Sequence, residues 1–282
     1  MVTQTPKFFT GRRKDVPPAC FEEKSGNIID NNYVVSPFLP VKAIWQTIEF
    51  HFEEPDPDEI TMEQQKYIVD FMFDVENAII CSEFSRNPEN YRKLIDVGSF
   101  IDYFILTEVT KNIDGYRLST YFYKDRDDKN GKLVMGPVWD YNISMGNADY
   151  CNGDSPEGWI YKFNEKCSGH AWLVPVWWEK LIKDPEFANE LYYRYRELRK
   201  TTLSISRLEQ RIDSIAIVLN EPQQRNFTRW PVLGKYIWSN SKVHNTYIEE
   251  LMFLKTWLKQ RITWLDNNMP GSPDKVLSPH GM

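Results

Sequence analysis

The chain has 282 residues, a formal net charge of −6 and a pI near 5.4. It therefore lacks the global positive field that would hold a nucleic-acid backbone, and we expect no nucleic-acid partner. Hydrophobic residues make up 41% and charged residues 26% of the sequence, as in ordinary globular proteins. No stretch reaches the length of a transmembrane helix, so we expect no transmembrane segment. The chain is long enough for a substantial core, and we expect a monomer.

Aromatic residues are abundant, with ten Trp, fifteen Tyr and sixteen Phe. Most are expected to fill a helical core, and the alternative is a platform for carbohydrate or peptide. The cysteines form no CxxC pair and have no His at zinc-ligand spacing, so a structural zinc site is not expected; they are Cys20, Cys81, Cys151 and Cys167. Cys151 and Cys167 flank a glycine-rich segment and fit either a disulfide or two buried free thiols.

The first part of the chain, residues 1–57, is irregular with short candidate strands at Tyr33–Val35 and 47–52. An acidic, proline-containing run at 53–59 reads as a loop. From Thr61 the apolar residues recur at helical spacing, and Thr61 with Gln64 has the form of a capping box. This pattern predicts a helix over 61–82.

The middle of the chain predicts a helix followed by a hairpin. Ser99 with Asp102 opens an almost wholly apolar helix that breaks at residues 112–115. A strand over 118–124, a polar turn ending in Asn130-Gly131 and a return strand over 132–139 follow. Pro137 favours a strand end at that point.

The remainder is loop-rich to about residue 175 and then predicted to be helical. Helices are expected at 176–182, from Asp184 to about 200, and from Ser206 to a stop at Pro222. Residues 224–231 are predicted to be a connector, and Thr246 with Glu249 should cap a final helix. The fold class is therefore α+β and mostly helical, with a central hairpin, a few N-terminal strands and a disordered tail over 272–282.

Two carboxylates stand at the two ends of the predicted hairpin, which would fix the distance between them. Asp114 follows the buried helix and lies five positions before Ser119, and Asp140 follows the return strand. Asp140 and Asn142 offer hard oxygen ligands suited to Mg²⁺. Each acid alone also fits a structural role, as part of a turn or as a cap of a backbone N–H.

Two further groups of charged residues have structural interpretations. Glu108 lies in an otherwise apolar run, and a buried Glu is costly unless paired, so we expect it to bond an Arg or a backbone group. The densest positive patch is expected to be a solvated helix face, with an acidic or phosphorylated substrate as the alternative; it comprises Arg194, Arg196, Arg199 and Lys200.

Several motifs together resemble the spore-coat-protein-H (CotH) kinase family. The core motifs are Asn112 to Gly115, Ser119 to Tyr121, Gly136 to Tyr141 and Gly146-Asn147. The later motifs are Trp177 to Leu181, Asp184 to Phe187, Arg225 to Phe227 with Trp230-Pro231, and the closing stretches Trp257-Leu258 and Arg261 to Asp266. The resemblance extends over about residues 58–271.

The resemblance implies an atypical protein-kinase fold, with residues 58–271 as its C-terminal lobe. It implies transfer of the ATP γ-phosphate, with Mg²⁺ or Mn²⁺, to Ser residues of secreted or surface proteins, and an extracytoplasmic or cell-surface location. By resemblance Asp114 is the carboxylate of the catalytic loop, which orients or deprotonates the acceptor hydroxyl, with Asn112 and Ser119 beside it. Asp140 and Asn142 would then bind the cofactor, with Ser119 as a further metal ligand.

The chain departs from the family pattern in two ways. The family commonly has Asp where this chain has Asn142, which weakens that position as a charged ligand. Residues 1–57 are expected to be a remnant of the nucleotide-gripping lobe or an irregular strand segment, because they are too short for that lobe and the chain contains no glycine-rich loop or lysine-bearing strand of the kinase type. The expectation from sequence is therefore that the chain is an incomplete or inactive fragment, or that it is active when the N-terminal lobe is supplied. Two other functions therefore stay open: a non-catalytic surface, adhesion or structural binding module, and a metal-dependent hydrolase that uses the same two acids.

Overall fold

A computed structural model describes residues 2–4, 28–30, 33–35, 49–80, 91–170 and 172–272. In these residues the chain is mostly helical with one antiparallel sheet, which confirms the predicted α+β class. Cys20, Cys81 and the tail after residue 272, together with most of residues 1–57, lie outside the described residues.

The predicted hairpin forms one end of a six-stranded antiparallel sheet, in the order β2-β3-β4-β1-β5-β6. The strands are β1 (Val2–Gln4), β2 (Ile28–Asp30), β3 (Tyr33–Val35), β4 (Glu49–Phe52), β5 (Thr120–Lys124) and β6 (Leu133–Met135). β1 pairs with both β4 and β5, with Val2 opposite Phe52 on one side and Phe122 on the other. The N-terminal strands therefore extend the hairpin into a larger sheet.

The helices in the described part of the chain include one that is largely buried, α2. They are α1 (Met62–Ile80), α2 (Val97–Thr110), α3 (Phe163–Lys166), α4 (Trp177–Lys183), α5 (Pro185–Lys200), α6 (Ile205–Val218), α7 (Asn220–Arg229) and α8 (Tyr247–Asn268). α2 packs against α5, α8 and β6. No helix among the described residues is long and apolar enough to cross a membrane.

The capping boxes predicted from sequence at Thr61 and Thr246 are present. At the start of α1 the Thr61 N–H donates to Gln64 Oε1 at 2.9 Å, and the Gln64 N–H donates to Thr61 Oγ1 at 3.3 Å. Thr246 and Glu249 form the same reciprocal pair ahead of α8. These bonds satisfy N–H groups that a helix start leaves without partners, which explains why both helices begin there.

Four predicted elements differ in the structure. α6 covers Ile205–Val218, whereas the sequence predicted a helix from Ser206 to a stop at Pro222. α2 begins at Val97 rather than Ser99, because the Asp96 side chain accepts the Ser99 N–H at 2.8 Å. β6 ends at Met135 instead of continuing to residue 139. The predicted connector over 224–231 is wrong over most of its length, since α7 covers Asn220–Arg229. Pro222 lies in the first turn of α7, where its missing N–H would have had no intrahelical acceptor.

Aromatic side chains fill the core, as predicted. Trp177 stacks on Phe50 of the sheet at 5.5 Å, and its Nε1 donates to Glu76 of α1 at 2.8 Å. Trp178 lies 4.7 Å from Tyr116, between α2 and the loop that follows it. The sheet, α1 and α2 thus share one core, which holds the loop after α2 against the hairpin.

Candidate active site

The segment that carries Asp114 follows α2 directly and is held by its own backbone. Lys111 adopts a left-handed conformation with φ of 49° and ends the helix. The Asp114 N–H donates to Asn112 Oδ1 at 3.2 Å. The Asp114 carbonyl accepts N–H groups of Arg117, Leu118 and Ser119 at 3.1–3.3 Å. This turn presents the Asp114 side chain immediately ahead of β5.

Gly115 allows the turn to lie close to α2. A Cβ at this position would stand 2.5 Å from Thr107 Cγ2 and 3.2 Å from the Asn112 carbonyl oxygen. The Gly115 carbonyl accepts hydrogen bonds from the hydroxyls of Tyr103 and Thr120. Only glycine permits this contact, so the sequence Asp114-Gly115 is more than a generic turn pair.

The structure brings the two ends of the hairpin together. Asn112 Nδ2 donates to the Asp140 carbonyl at 3.3 Å, and Ser119 Oγ donates to Asp140 Oδ2 at 3.3 Å. Asp140 is exposed and left-handed, with φ of 59°. Four of the five predicted site residues, Asn112, Asp114, Ser119 and Asp140, therefore meet at one place, with Asn112 buried beneath the exposed Asp140.

Asn142, the fifth predicted site residue, is exposed just beyond Asp140. Its carbonyl accepts a hydrogen bond from Asn147 Nδ2 at 3.1 Å. Within the described ranges no hydrogen bond joins the Asn142 side chain to Asp114, Ser119 or Asp140. It stands near the acids in sequence without being tied to them.

The carboxyl group of Asp114 is mostly buried, and its pKa is raised. Burial is the main cause, and the negative charge of Asp140 adds to the rise. The Arg117 guanidinium opposes it, with Nη2 donating to Asp114 Oδ1 at 2.5 Å. Asp140 therefore lies close enough to Asp114 for its charge to affect the Asp114 pKa.

Arg117, the main partner of Asp114, was not among the site residues predicted from the sequence. Arg117 is 1% exposed, its Nε donates to the Ile113 carbonyl at 3.0 Å, and its guanidinium lies 4.2 Å from the centre of the Phe163 ring. Its Nη1 is 3.3 Å from His170 Nδ1. A local signal existed, because an Arg three residues after an Asp can pair with it across one turn. No comparable signal in the sequence indicated that Arg117 would contact Phe163 and His170.

Glu108 is paired as predicted, with both an Arg and backbone groups. Arg261 Nη2 of α8 donates to Glu108 Oε2 at 3.0 Å. The N–H groups of Ile160 and Tyr161 donate to the same carboxylate at 3.1 and 2.9 Å. Burial raises the pKa of Glu108 and lowers that of Arg261 to about 10, and each charge opposes the shift of the other. The pair belongs to the scaffold behind the site.

Lys111 is a second buried cation that sequence analysis did not single out. Its Nζ donates to the carbonyls of Asn152, Ser155 and Glu157 at 2.6, 2.7 and 2.8 Å. Burial lowers the Lys111 pKa to about 8. These bonds tie the loop over 152–158 to the residue that ends α2.

Cys151 and Cys167 form a disulfide, with their Cα atoms 5.7 Å apart, which resolves the alternative left open by the sequence. The basic cluster on α5 is a partly paired helix face. Arg194 bonds Asp102 at 2.8 Å and Arg199 bonds Asp266 at 2.8 Å. These arginines therefore serve packing between helices.

The residues present fit a magnesium ion shared with a nucleotide. Among the described residues no three or more His, Cys, Asp or Glu side chains are grouped as a protein metal cage would require. Mg²⁺ is usually held by one or two carboxylates together with substrate phosphates, and keeps several waters. The exposed Asp140 carboxylate with the Ser119 hydroxyl 3.3 Å away suits that mode.

A buried helix followed by a hairpin with one carboxylate at each end is an arrangement typical of kinase-like proteins. The sequence model of the family described as CotH kinase protein matches residues 16–265. The chain therefore belongs to the CotH kinase family and is an atypical kinase-like protein. The match begins at residue 16, ahead of the range 58–271 over which the motifs were recognised. Searches of curated proteins and of solved structures found no match.

Proposed function

We propose that this chain transfers the γ-phosphate of ATP to a Ser hydroxyl of a secreted or surface protein, with Mg²⁺ as cofactor. The observation that carries the proposal is the meeting of Asp114 and Asp140 at the two ends of the hairpin, linked through Asn112 and Ser119. Membership of the CotH kinase family supports it.

Asp114 is the group proposed to receive the proton of the acceptor hydroxyl. Its raised pKa suits a general base, because a carboxylate with a higher pKa is a better proton acceptor. The pairing with Arg117 holds one of its oxygens in place and leaves the other for the acceptor.

Asp140 and Ser119 are the proposed oxygen ligands for the metal ion, with Asn142 as a neutral neighbour. When bound, Mg²⁺ would neutralise charge on the phosphate oxygens during transfer. The left-handed backbone at Asp140 and the Asn112 bond to its carbonyl hold this residue in place.

An extracytoplasmic location is part of the proposal. The Cys151–Cys167 disulfide supports it, because disulfides persist in oxidising compartments and are rare in the cytosol. The family's association with spore coats points the same way.

The test is phosphate transfer from labelled ATP and Mg²⁺ to a Ser-rich acceptor protein by the whole chain. We expect Asp114→Asn and Asp140→Ala each to lower transfer at least about 100-fold. Asp128→Asn is the matched control, since this exposed acid lies in the hairpin turn and pairs with Arg126. Equal labelling by wild type and Asp140→Ala would contradict the proposal. Phosphate release that does not depend on an acceptor would indicate a hydrolase.

A second candidate function is a non-catalytic binding module, and exposed aromatic side chains favour it. Trp139, Trp230 and Trp238 are 61%, 59% and 67% exposed. Exposed aromatic rings are frequent in surfaces that bind peptides or glycans. A melting temperature unchanged by ATP and Mg²⁺, together with saturable glycan or protein binding, would support this function over phosphate transfer.

A further inference from the structure

We propose that the Cys151–Cys167 disulfide positions Asp114 through Arg117, so that the bond sets the rate of transfer as well as stability. The inference rests on the proposed function, because it takes Asp114 as the proton acceptor. Arg117 is then a positioning residue, and the disulfide closes the enclosure that holds Arg117.

The buried positive charge of Arg117 is stabilised by hydrogen bonds to three residues. Its guanidinium uses Nε for the Ile113 carbonyl, Nη2 for Asp114 and Nη1 for His170. Burial lowers its pKa, and the charge of Asp114 opposes that shift. An arginine buried to this degree is stable only while its partners stay in place.

The enclosure around Arg117 is built by the two segments that the disulfide joins. Phe163 and His170 lie on either side of Cys167, and Tyr150 directly precedes Cys151. The Phe163 ring covers the guanidinium at 4.2 Å. Burial raises the pKa of Tyr150 and the Arg117 charge opposes the rise, so Tyr150 lies within electrostatic reach of the guanidinium. Tyr150 and His170 stack across the two segments at 6.4 Å. We call these three side chains, Tyr150, Phe163 and His170, the aromatic enclosure.

Local backbone bonds couple the cysteines to the enclosure. The Cys167 N–H donates to the Phe163 carbonyl at 2.8 Å, and the His170 N–H donates to the Cys167 carbonyl at 2.9 Å. On the other side, the Gly153 N–H donates to the Tyr150 carbonyl at 2.9 Å. A Cβ on Gly153 would lie 3.0 Å from Ile113 Cδ1, so this turn also packs against the residue before Asp114.

Opening the disulfide would remove the covalent tie between the two segments. The Lys111 and Glu108 bonds would still anchor each segment away from the enclosure, but at the enclosure itself ring contacts would link the segments to each other. Each ring contact contributes about 1 kcal/mol. This is small compared with the conformational entropy that the two segments gain when they move apart. The enclosure would loosen, water would reach Arg117, and the Arg117 bond to Asp114 would no longer fix the carboxylate. A displacement of about 1 Å at a reacting group can lower a rate by about 100-fold.

The first test compares wild type with the Cys151→Ser, Cys167→Ser double variant, at a temperature well below both melting points. We expect a kcat at least about tenfold lower with the KM for ATP unchanged. A dithiol reductant should do the same to wild type: the disulfide takes up two electrons and two protons to give two thiols, and the dithiol becomes a cyclic disulfide. The reductant should not affect the double variant. A lower melting temperature with unchanged kcat would overturn the inference.

The second test asks whether Arg117 acts by position. We expect Arg117→Ala to lower kcat by about 100-fold. Added guanidinium chloride at low millimolar concentration should recover part of the loss, while sodium chloride at the same concentration should not. Arg194→Ala, which removes the exposed pair with Asp102, is the matched control and should keep wild-type kcat. Loss without rescue by guanidinium would count against a positioning role.

A third measurement needs no activity. Crystal structures of wild type and the double-serine variant should show the Arg117 and Asp114 pair intact in the first and broken or displaced in the second. An unchanged pair in the variant overturns the inference. Absence of transfer by wild type would count against the proposed function alone, and the two crystal structures would then decide the inference.

Discussion

Arg261 and Glu108 form a fully buried ion pair of 3.0 Å although 153 residues separate them in the chain. Arg261 Nε also donates to the Glu108 carbonyl at 2.7 Å, and its Nη1 donates to the carbonyls of Pro156 and Gly158. The pair therefore joins α8, the end of α2 and the loop over 152–158 behind the candidate active site.

Breaking this pair should destabilise the fold strongly. We expect Arg261→Met to lower the free energy of unfolding by about 3–5 kcal/mol, because it leaves the Glu108 carboxylate buried without its counter-ion. Urea denaturation followed by circular dichroism measures the change. Arg194→Met is the matched control, and it should cost less than about 1 kcal/mol because its pair with Asp102 is exposed. Equal losses in the two variants would refute the assigned role.

The buried amine of Lys111 should make stability depend on pH in the alkaline range. Burial lowers its pKa from 10.5 to about 8 in the folded state. Between these values the unfolded state binds more protons, so stability rises with pH. We therefore expect the unfolding free energy of wild type, relative to Lys111→Met, to be flat below pH 8 and to rise by on the order of 2 kcal/mol towards pH 10.5.

The comparison with the Lys111→Met variant is needed because several buried tyrosines with raised pKa values also titrate at high pH. Their contributions are common to both proteins and cancel in the difference. Urea midpoints measured between pH 7 and 10.5 give the curve. A difference that stays level, or that falls with pH, would show that the amine is not held at a lowered pKa.

The close approach of Gly115 to α2 should make this position intolerant of a side chain. A Cβ would lie 2.5 Å from Thr107 Cγ2, so we expect Gly115→Ala to cost about 1–3 kcal/mol through overpacking. Gly169→Ala is the control, since a Cβ there meets no atom within 4 Å. Thermal unfolding of the two variants gives the comparison.

A double-variant cycle tests the cause. Thr107→Ser removes Cγ2 and keeps the hydroxyl that lies 2.9 Å from the Tyr141 hydroxyl. We expect Gly115→Ala to cost clearly less in the Thr107→Ser background, because the clashing methyl group is gone. If the losses in the free energy of unfolding of the two single variants simply add in the double variant, the strain does not come from the Thr107 methyl group.

Replacing Asn142 by Asp should strengthen metal binding. The family commonly has Asp at this position, and a second carboxylate near Asp140 would add negative charge for Mg²⁺. We expect Asn142→Asp to lower the Mg²⁺ concentration for half-maximal transfer roughly tenfold, with Asp140→Ala abolishing the gain. Asn152→Asp adds the same charge at another exposed asparagine and serves as the control. If wild type, Asn142→Asp and Asn152→Asp all show the same Mg²⁺ dependence, residue 142 is not part of the metal site.

Local sequence patterns were sufficient for most helices. The caps at Thr61 and Thr246 and the 3.6-residue periodicity depend on neighbours within one or two turns, so their bonds can be read without the fold. The start of α2 was misjudged because Ser99 and Asp96 are both good capping residues. Ser99 instead uses its hydroxyl to accept the Met135 N–H of β6 at 3.1 Å, a tertiary contact.

The sequence by itself determined the two carboxylates, the hairpin between them and the need of Glu108 for a partner, because residue type, turn chemistry and the cost of a buried charge are local properties. Tertiary structure alone decided that Arg261 is that partner, that the aromatic enclosure surrounds Arg117, and that Ser119 bonds Asp140. These contacts depend on how distant segments pack, such as Phe163 over Arg117 and α8 over α2. Neither periodicity nor spacing carries that information.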